Sequence, residues 1–117
     1  LSPKRGERVA PPAVGDEWNV RFANNDAAKG WEELCRQAPE NTRRAFESMR
    51  SQPRPNPATE RHHRLKGGYA SRDYQGRKLE RWQIEVTGSG RIWYLIDDAE
   101  HTVWVECAGL RHPKATE

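Results

Sequence analysis

The chain has 117 residues, a length that fits one domain, and carries 20 Lys and Arg against 17 Asp and Glu for a net charge of +3. Its hydrophobic fraction is 34%, below the about 45–50% usual for globular domains (a count that includes glycine), so either the core is small or part of the chain lies outside it. No run approaches the roughly 18 apolar residues of a membrane span, and no signal peptide is visible. These features point to a cytoplasmic protein.

The first stretch, Leu1 to Gly15, holds three prolines, two glycines and four charged residues without a sustained period. It reads as a flexible arm over residues 1–16, with the folded domain over 17–117. Glu17 to Ala23 alternates, with Trp18, Val20 and Phe22 on one face, and predicts a first strand. Asn24, Asn25 and Asp26 supply N-cap side chains. Ala27, Trp31, Leu34 and Ala38 then recur at helical spacing. Pro39 ends that helix and starts another. In the second helix, Ala45, Phe46 and Met49 face one way and Arg43, Arg44, Glu47 and Arg50 largely the other. The pair reads as a helical hairpin. Ser51 to Thr59, with three prolines, is irregular, and His62 to Tyr69 reads as a basic loop with a Gly-Gly break. A short strand near Tyr69 to Arg72 has little support in the pattern.

The last third alternates three times. Leu79 to Val86 places Trp82, Ile84 and Val86 opposite Arg81, Gln83 and Glu85. After Thr87-Gly88-Ser89-Gly90, a hairpin turn, Arg91 to Ile96 places Ile92, Tyr94 and Ile96 opposite Arg91, Trp93 and Leu95. After Asp97-Asp98-Ala99-Glu100, Thr102 to Cys107 places Val103, Val105 and Cys107 opposite Trp104 and Glu106. The predicted order is β-α-α-β-β-β, an α+β domain with a small antiparallel sheet on an N-terminal helical hairpin. Trp18, Trp31 and Trp82 are assigned to the core, and Trp93 and Trp104 to the mixed, exposed face. Cys35 and Cys107 lack metal-type spacing and read as buried, reduced thiols.

Charge is concentrated rather than spread. Arg61, Arg64, Lys66, Arg72, Arg77, Lys78 and Arg81 fall in one stretch against only Asp73 and Glu80. A basic face with aromatics is suited to phosphate contacts and base stacking. His62 and His63 lack partners at ligand spacing, so neither a metal nor another cofactor is expected.

The order of elements, Leu65-Lys66-Gly67, the run WQIEVTGSGRIWYLID and the closing V-x-V-x-x-x-G-x-R-H-P-K together resemble the RelE/ParE superfamily of toxins from type II toxin–antitoxin systems. The resemblance spans roughly Glu17 to Lys114. It implies a cognate antitoxin as partner and one of two activities. RelE-like members enter the ribosome and cleave mRNA; ParE-like members poison DNA gyrase without nuclease chemistry. Arg91 matches the arginine that opens the strand after the central hairpin in the nucleases, and Arg111 matches the one that follows the last strand after a glycine. Two lysines of the best-known member are replaced here by Gln83 and Glu85, and its late tyrosine has no counterpart. Other nucleases of the superfamily use Glu, His and Arg, a set that Glu85 and His112 supply by chemistry rather than by a shared motif.

Cleavage of RNA by its own 2′-hydroxyl needs a base, a cation on the phosphate and an acid for the leaving oxygen. Arg91 and Arg111 are the candidate phosphate ligands, since a guanidinium is planar, bidentate and permanently charged. Glu85 and His112 are the candidate proton-transfer groups; the plainer reading of Glu85 is a cross-strand ion pair with Arg91. Arg64, Lys66, Lys78, Arg81 and Trp93 are candidate RNA-binding residues, each also explicable as ordinary surface or sheet packing. The expectation is a RelE-like, ribosome-dependent, metal-independent endoribonuclease toxin, with a gyrase poison as the alternative.

Overall fold

The computed structural model describes residues 4–9 and 11–109. The elements run β1 (Asn19–Phe22), α1 (Asn25–Gln37), α2 (Pro39–Ser51), β2 (His62–Arg64), a single 3-10 turn at Gly67–Tyr69, β3 (Ser71–Tyr74), β4 (Arg77–Glu85), β5 (Arg91–Asp97) and β6 (Thr102–Gly109). The α+β class and the helical hairpin agree with the pattern of the sequence. The sheet is larger than expected. It has six strands in the order β1-β6-β5-β4-β2, with β3 also on β4, and β1 runs parallel to β6. Two short strands, β2 and β3, come from the stretch read as a basic loop and a weakly patterned segment. Three or four residues are too few to show alternation, and both are held by β4 rather than by their own pattern.

Local chemistry accounts for the element boundaries. The Asn24 side chain accepts from Ala27 N at 2.7 Å and caps α1. Pro39 occupies the first turn of α2, where no amide donor is needed. The Leu34 carbonyl at the end of α1 accepts both from Ala38 N at 2.8 Å and from Thr42 Oγ1 at 3.0 Å, which ties the start of α2 to α1. Gln75 and Gly76 both have positive φ (51° and 78°), the backbone of a tight two-residue hairpin between β3 and β4. Gly30 is required by packing: a Cβ there would lie 1.9 Å from the Ala108 carbonyl oxygen, so only glycine lets α1 approach β6.

The helices cover one face of the sheet. Ala27, Ala28, Trp31 and Leu34 of α1 and Ala45, Phe46 and Met49 of α2 pack on Val20, Phe22, Ile84, Ile92, Tyr94, Ile96, Val103 and Val105. Burying each large side chain of this kind contributes about 1.5–3 kcal/mol. Trp31 and Trp82 belong to this core as expected, while Trp18 is half-buried and stacks on His101 with ring centroids 4.1 Å apart.

The N-terminal stretch is packed where it is described, unlike the loose arm expected over residues 1–16. Val9 is buried, and Gly6 N and Val9 N each donate to β1 carbonyls at 2.7 Å, which closes the outer edge of β1. Arg50, expected on the solvated side of α2, is buried under this stretch. It donates to the Pro11 and Pro12 carbonyls, pairs with Glu17 at 3.4 Å and lies 4.7 Å over the Phe46 ring. A residue-by-residue helical pattern does not reveal a cover supplied by distant prolines. Cys35 and Cys107 are free, and both are half-buried rather than buried.

Candidate functional site

Strand alternation sends Arg81, Gln83 and Glu85 of β4, Arg91, Trp93, Leu95 and Asp97 of β5, and Trp104 of β6 to the face away from the helices. The register of β5 and β6 shifts between Trp93 and Tyr94: Trp93 pairs with Cys107, Tyr94 with Val105, and Glu106 is the extra residue of a β-bulge. Glu106 shares this outer face with Trp104 by simple alternation, and the bulge sets Cys107, expected on the opposite face, against Trp93. Asn24 Nδ2 donates to the Glu106 carbonyl at 3.0 Å and ties the start of α1 to the bulge.

Glu106 organises the middle of the face. Its carboxylate is ion-paired to Arg72 and to Arg81, whose Nη2 donates to Oε2 at 3.1 Å. The Glu106 side chain is 4% exposed and that of Arg81 12%, so this charge pairing is largely withdrawn from water. Arg81 also lies 5.3 Å from the Trp93 ring centroid, a cation–π contact. The Trp93 indole N–H donates to Gln83 Oε1 at 2.8 Å, and Tyr69 packs beside the ring. Farther along, Leu79, Leu95, Ala23 and Trp104 form a second apolar cluster under Tyr74. Asp97, fully buried, takes both terminal nitrogens of Arg77 at 2.7 and 2.6 Å and the Trp104 indole N–H at 3.2 Å. Burial raises the Cys107 thiol pKa, with the Glu106 charge adding to it. A thiol so shifted is a weaker nucleophile.

Arg91 and Glu85 meet at the end of this face. They are register partners across the β4–β5 turn, and Arg91 Nη1 lies 3.8 Å from Glu85 Oε1. The same Nη1 donates to the carbonyls of Thr87, Gly88 and Gly90 at 3.1, 3.3 and 3.1 Å, which braces the turn. The cross-strand pair anticipated from the alternation is therefore present. Arg81 and Trp93 share its face.

The other candidates are dispersed. Arg64 donates to the Ala70 carbonyl at 3.0 Å and to Ser71 Oγ at 2.9 Å, fastening its own loop. Lys66 is exposed just before the 3-10 turn. Lys78 is at the far end of β4, opposite Asp73 and beside a cleft of about 220 Å³ shared with Arg54, Glu80 and Asp98. Seven strand residues separate it from Glu85, about 23 Å at ~3.3 Å per residue. Arg111 and His112 lie outside the described residues. Trp93 and Trp104, expected to be exposed, are 4% and 8% exposed. Their indole N–H groups and rings are already engaged, Trp93 by Gln83, Arg81 and Tyr69 and Trp104 by Asp97 and Tyr74.

Sequence reasoning gave no site role to Glu106 or Arg72, and none to a pair on the helix side. There, His62 Nε2 meets the Tyr94 hydroxyl, which donates to the Pro53 carbonyl at 2.6 Å. Burial, with the neighbouring His63, lowers the His62 pKa to about 4, so the ring is neutral near pH 7. Among the described residues no group of three or more His, Cys, Asp or Glu side chains could hold a metal ion, and no helix is long and apolar enough to cross a membrane. No protein-family model, curated protein or solved structure matches the chain.

Proposed function

We propose that the chain is a toxin of a type II toxin–antitoxin system, a RelE-like endoribonuclease that cleaves mRNA on the ribosome and is held inactive by a cognate antitoxin. The observation that carries this reading is the Glu85–Arg91 pair, 3.8 Å apart on the sheet face that also bears Arg81 and Trp93. The resemblance set out above supports it.

In this reading the Glu85 carboxylate takes the proton of the ribose 2′-hydroxyl. The 2′-oxygen attacks phosphorus, the bond to the 5′-oxygen breaks, and a 2′,3′-cyclic phosphate and a free 5′-hydroxyl result. Arg91 and Arg111 hold the negative charge that builds on the phosphoryl oxygens, and His112 returns a proton to the leaving oxygen. An incoming phosphate competes with Glu85 for Arg91, and that exchange frees the carboxylate to act as a base.

The test is growth arrest on expression of the chain alone, with RNA 5′ ends mapped in the same cells. Cuts inside translated messages are expected. Arg91→Lys keeps the charge and loses the planar fork; it is expected to reduce cleavage by about 10²-fold, the usual cost of losing one charge-stabilising donor. Because Arg91 also braces the turn, circular dichroism must show each variant folded. A folded Arg91→Lys or Arg91→Ala variant of undiminished toxicity refutes the assignment.

One observation favours the second reading, a gyrase poison without nuclease activity. Arg72, Arg77, Arg81 and Arg91 each face a carboxylate on the outer surface, and Gln83 is occupied by Trp93. A face so neutralised suits protein contact. Uncut RNA together with induced DNA damage selects it.

A further inference from the structure

The basic run between Arg61 and Arg81 is only partly used by the outer face. Arg61 itself stands elsewhere. Glu85 N donates to the Arg61 carbonyl at 2.7 Å, which pins Arg61 beside Glu85 on the flank of β4 away from Arg91. Adjacent strands are ~4.8 Å apart, so Glu85 has an arginine on the neighbouring chain at either side. The Arg61 side chain and Arg44 of α2 line a cleft of about 300 Å³, together with Asn41, Ser48, His62 and Glu85. That volume is at the low end of small-ligand pockets, which run ~300–1,000 Å³.

The charge of this cleft is uncompensated. Among the described residues Arg44 donates to the neutral Asn41 side chain, at 2.7 Å, and no ion pair reaches Arg44 or Arg61. Glu85 is the one acidic residue lining it among the described residues, and it is turned to Arg91. His62 adds no charge near neutrality, since its ring is held neutral and hydrogen-bonded to Tyr94. Two exposed guanidinium groups thus line a small cleft at the flank of β4, beside the residue whose carboxylate is turned to Arg91.

The geometry points to a phosphate-binding subsite formed by Arg44 and Arg61, which takes a backbone phosphate of a single-stranded nucleic acid next to the one held at Arg91. The identity of the strand rests on the nuclease reading. Each guanidinium offers a bidentate fork to phosphate, and Asn41 and Ser48 add neutral donors. A strand laid from Arg91 across Glu85 into the cleft is gripped on both sides of the carboxylate. These contacts position the strand and read no base.

The test uses the full chain and a fluorescein-labelled single-stranded RNA 12-mer, followed by anisotropy over a range of salt. The double variant Arg44→Ala/Arg61→Ala is expected to bind at least about 10-fold more weakly and to flatten the salt slope by ~0.7, the change for one lost phosphate contact on a single strand. A charge-matched control on α1, Lys29→Ala/Arg36→Ala, is expected to change affinity by less than about 3-fold. Equal losses in the two double variants, an unchanged slope, or no RNA binding by the wild type overturns the subsite. So does binding of a poly-glutamate peptide, in place of RNA, that depends on Arg44 and Arg61; the cleft is then a protein-docking site. RNA 5′-end mapping separates this from the function proposed above. Cuts that persist undiminished in the double variant sink the subsite and leave the nuclease standing. Absence of cuts in the wild type sinks the nuclease, and the anisotropy series then decides the subsite by itself.

Discussion

The two sides of β4 handle positive charge in opposite ways. On the outer face four arginines are matched: Arg72 and Arg81 by Glu106, Arg77 by Asp97, Arg91 by Glu85. In the cleft beside α2, Arg44 and Arg61 have no carboxylate partner among the described residues. The outer charges are part of the fold, and withdrawing the partner of Arg81 or Arg91 strands a cation largely away from water. The cleft charges are exposed, and in the proposed subsite an anion meets them without first displacing a carboxylate. Local density of arginine in the chain is thus a poor guide to where an anion binds; the density of unmatched arginine is the better one.

Stability measurements can break this contrast, and the largest effect belongs to Glu106. Glu106→Ala leaves the nearly buried Arg81 without its partner, and the loss expected from urea unfolding is about 3–5 kcal/mol, the usual cost of breaking a buried pair. A loss as small as that of an ordinary surface substitution would place the outer face among open surfaces and remove the distinction. Next comes Tyr94→Phe. It strands the Pro53 carbonyl and the His62 ring nitrogen inside the core, and about 1–3 kcal/mol is expected by the same measurement.

A pH series sharpens the helix-side account. The His62 pKa is lowered to about 4 by burial, against 6.5 for the free side chain. Between these values the unfolded chain binds the proton and the folded chain does not. The contribution of the neutral ring is therefore complete above about pH 6.5, declines as pH falls, and is gone below about pH 4. Glu80 and Asp98 are lowered through hydrogen bonds from Arg54, and their contributions fade only below the ordinary carboxylate range. A comparison of about pH 7 with about pH 5 thus isolates the histidine. The unfolding midpoint of the wild type is expected to drop across that interval, while His62→Gln shows a flatter response. Parallel curves for the two proteins would count against a buried, neutral His62.

The smallest stability effect is predicted for the cleft. Arg44→Ala and Arg61→Ala remove exposed side chains, and each is expected to shift stability by no more than about 0.5 kcal/mol. If either destabilises like Glu106→Ala, its guanidinium is a structural group and the cleft is no reserve of free charge.

Much of the fold was legible along the chain. Alternation located β1, β4, β5 and β6 to within a few residues, helical spacing located α1 and α2, and Asn24 and Pro39 marked their starts. The outward direction of Arg81, Glu85, Arg91 and Trp93 followed from the same alternation, and so did the Glu85–Arg91 pairing. Other features left no local trace. His62–Arg64 and Ser71–Tyr74 are strands because β4 offers them a ladder. Arg50 is buried because Pro11 and Pro12 cross over it. Trp93 and Trp104 are covered because Arg81, Gln83 and Tyr69 close over the one and Asp97 and Tyr74 over the other.

What the amino-acid order determined by itself is the set of periods: which stretches are helix or strand, and which side chains share a face. Those follow from bonded geometry, which repeats every 3.6 or two residues whatever lies nearby. What only the tertiary structure decided is which charges are neutralised. Arg72 and Glu106 are 34 residues apart, and Arg77 and Asp97 are 20 apart. Coulomb attraction and desolvation depend on distance in space and on exclusion of water, and neither is written in sequence separation. The side-by-side pairing of β3, β4, β5 and β6 sets those distances.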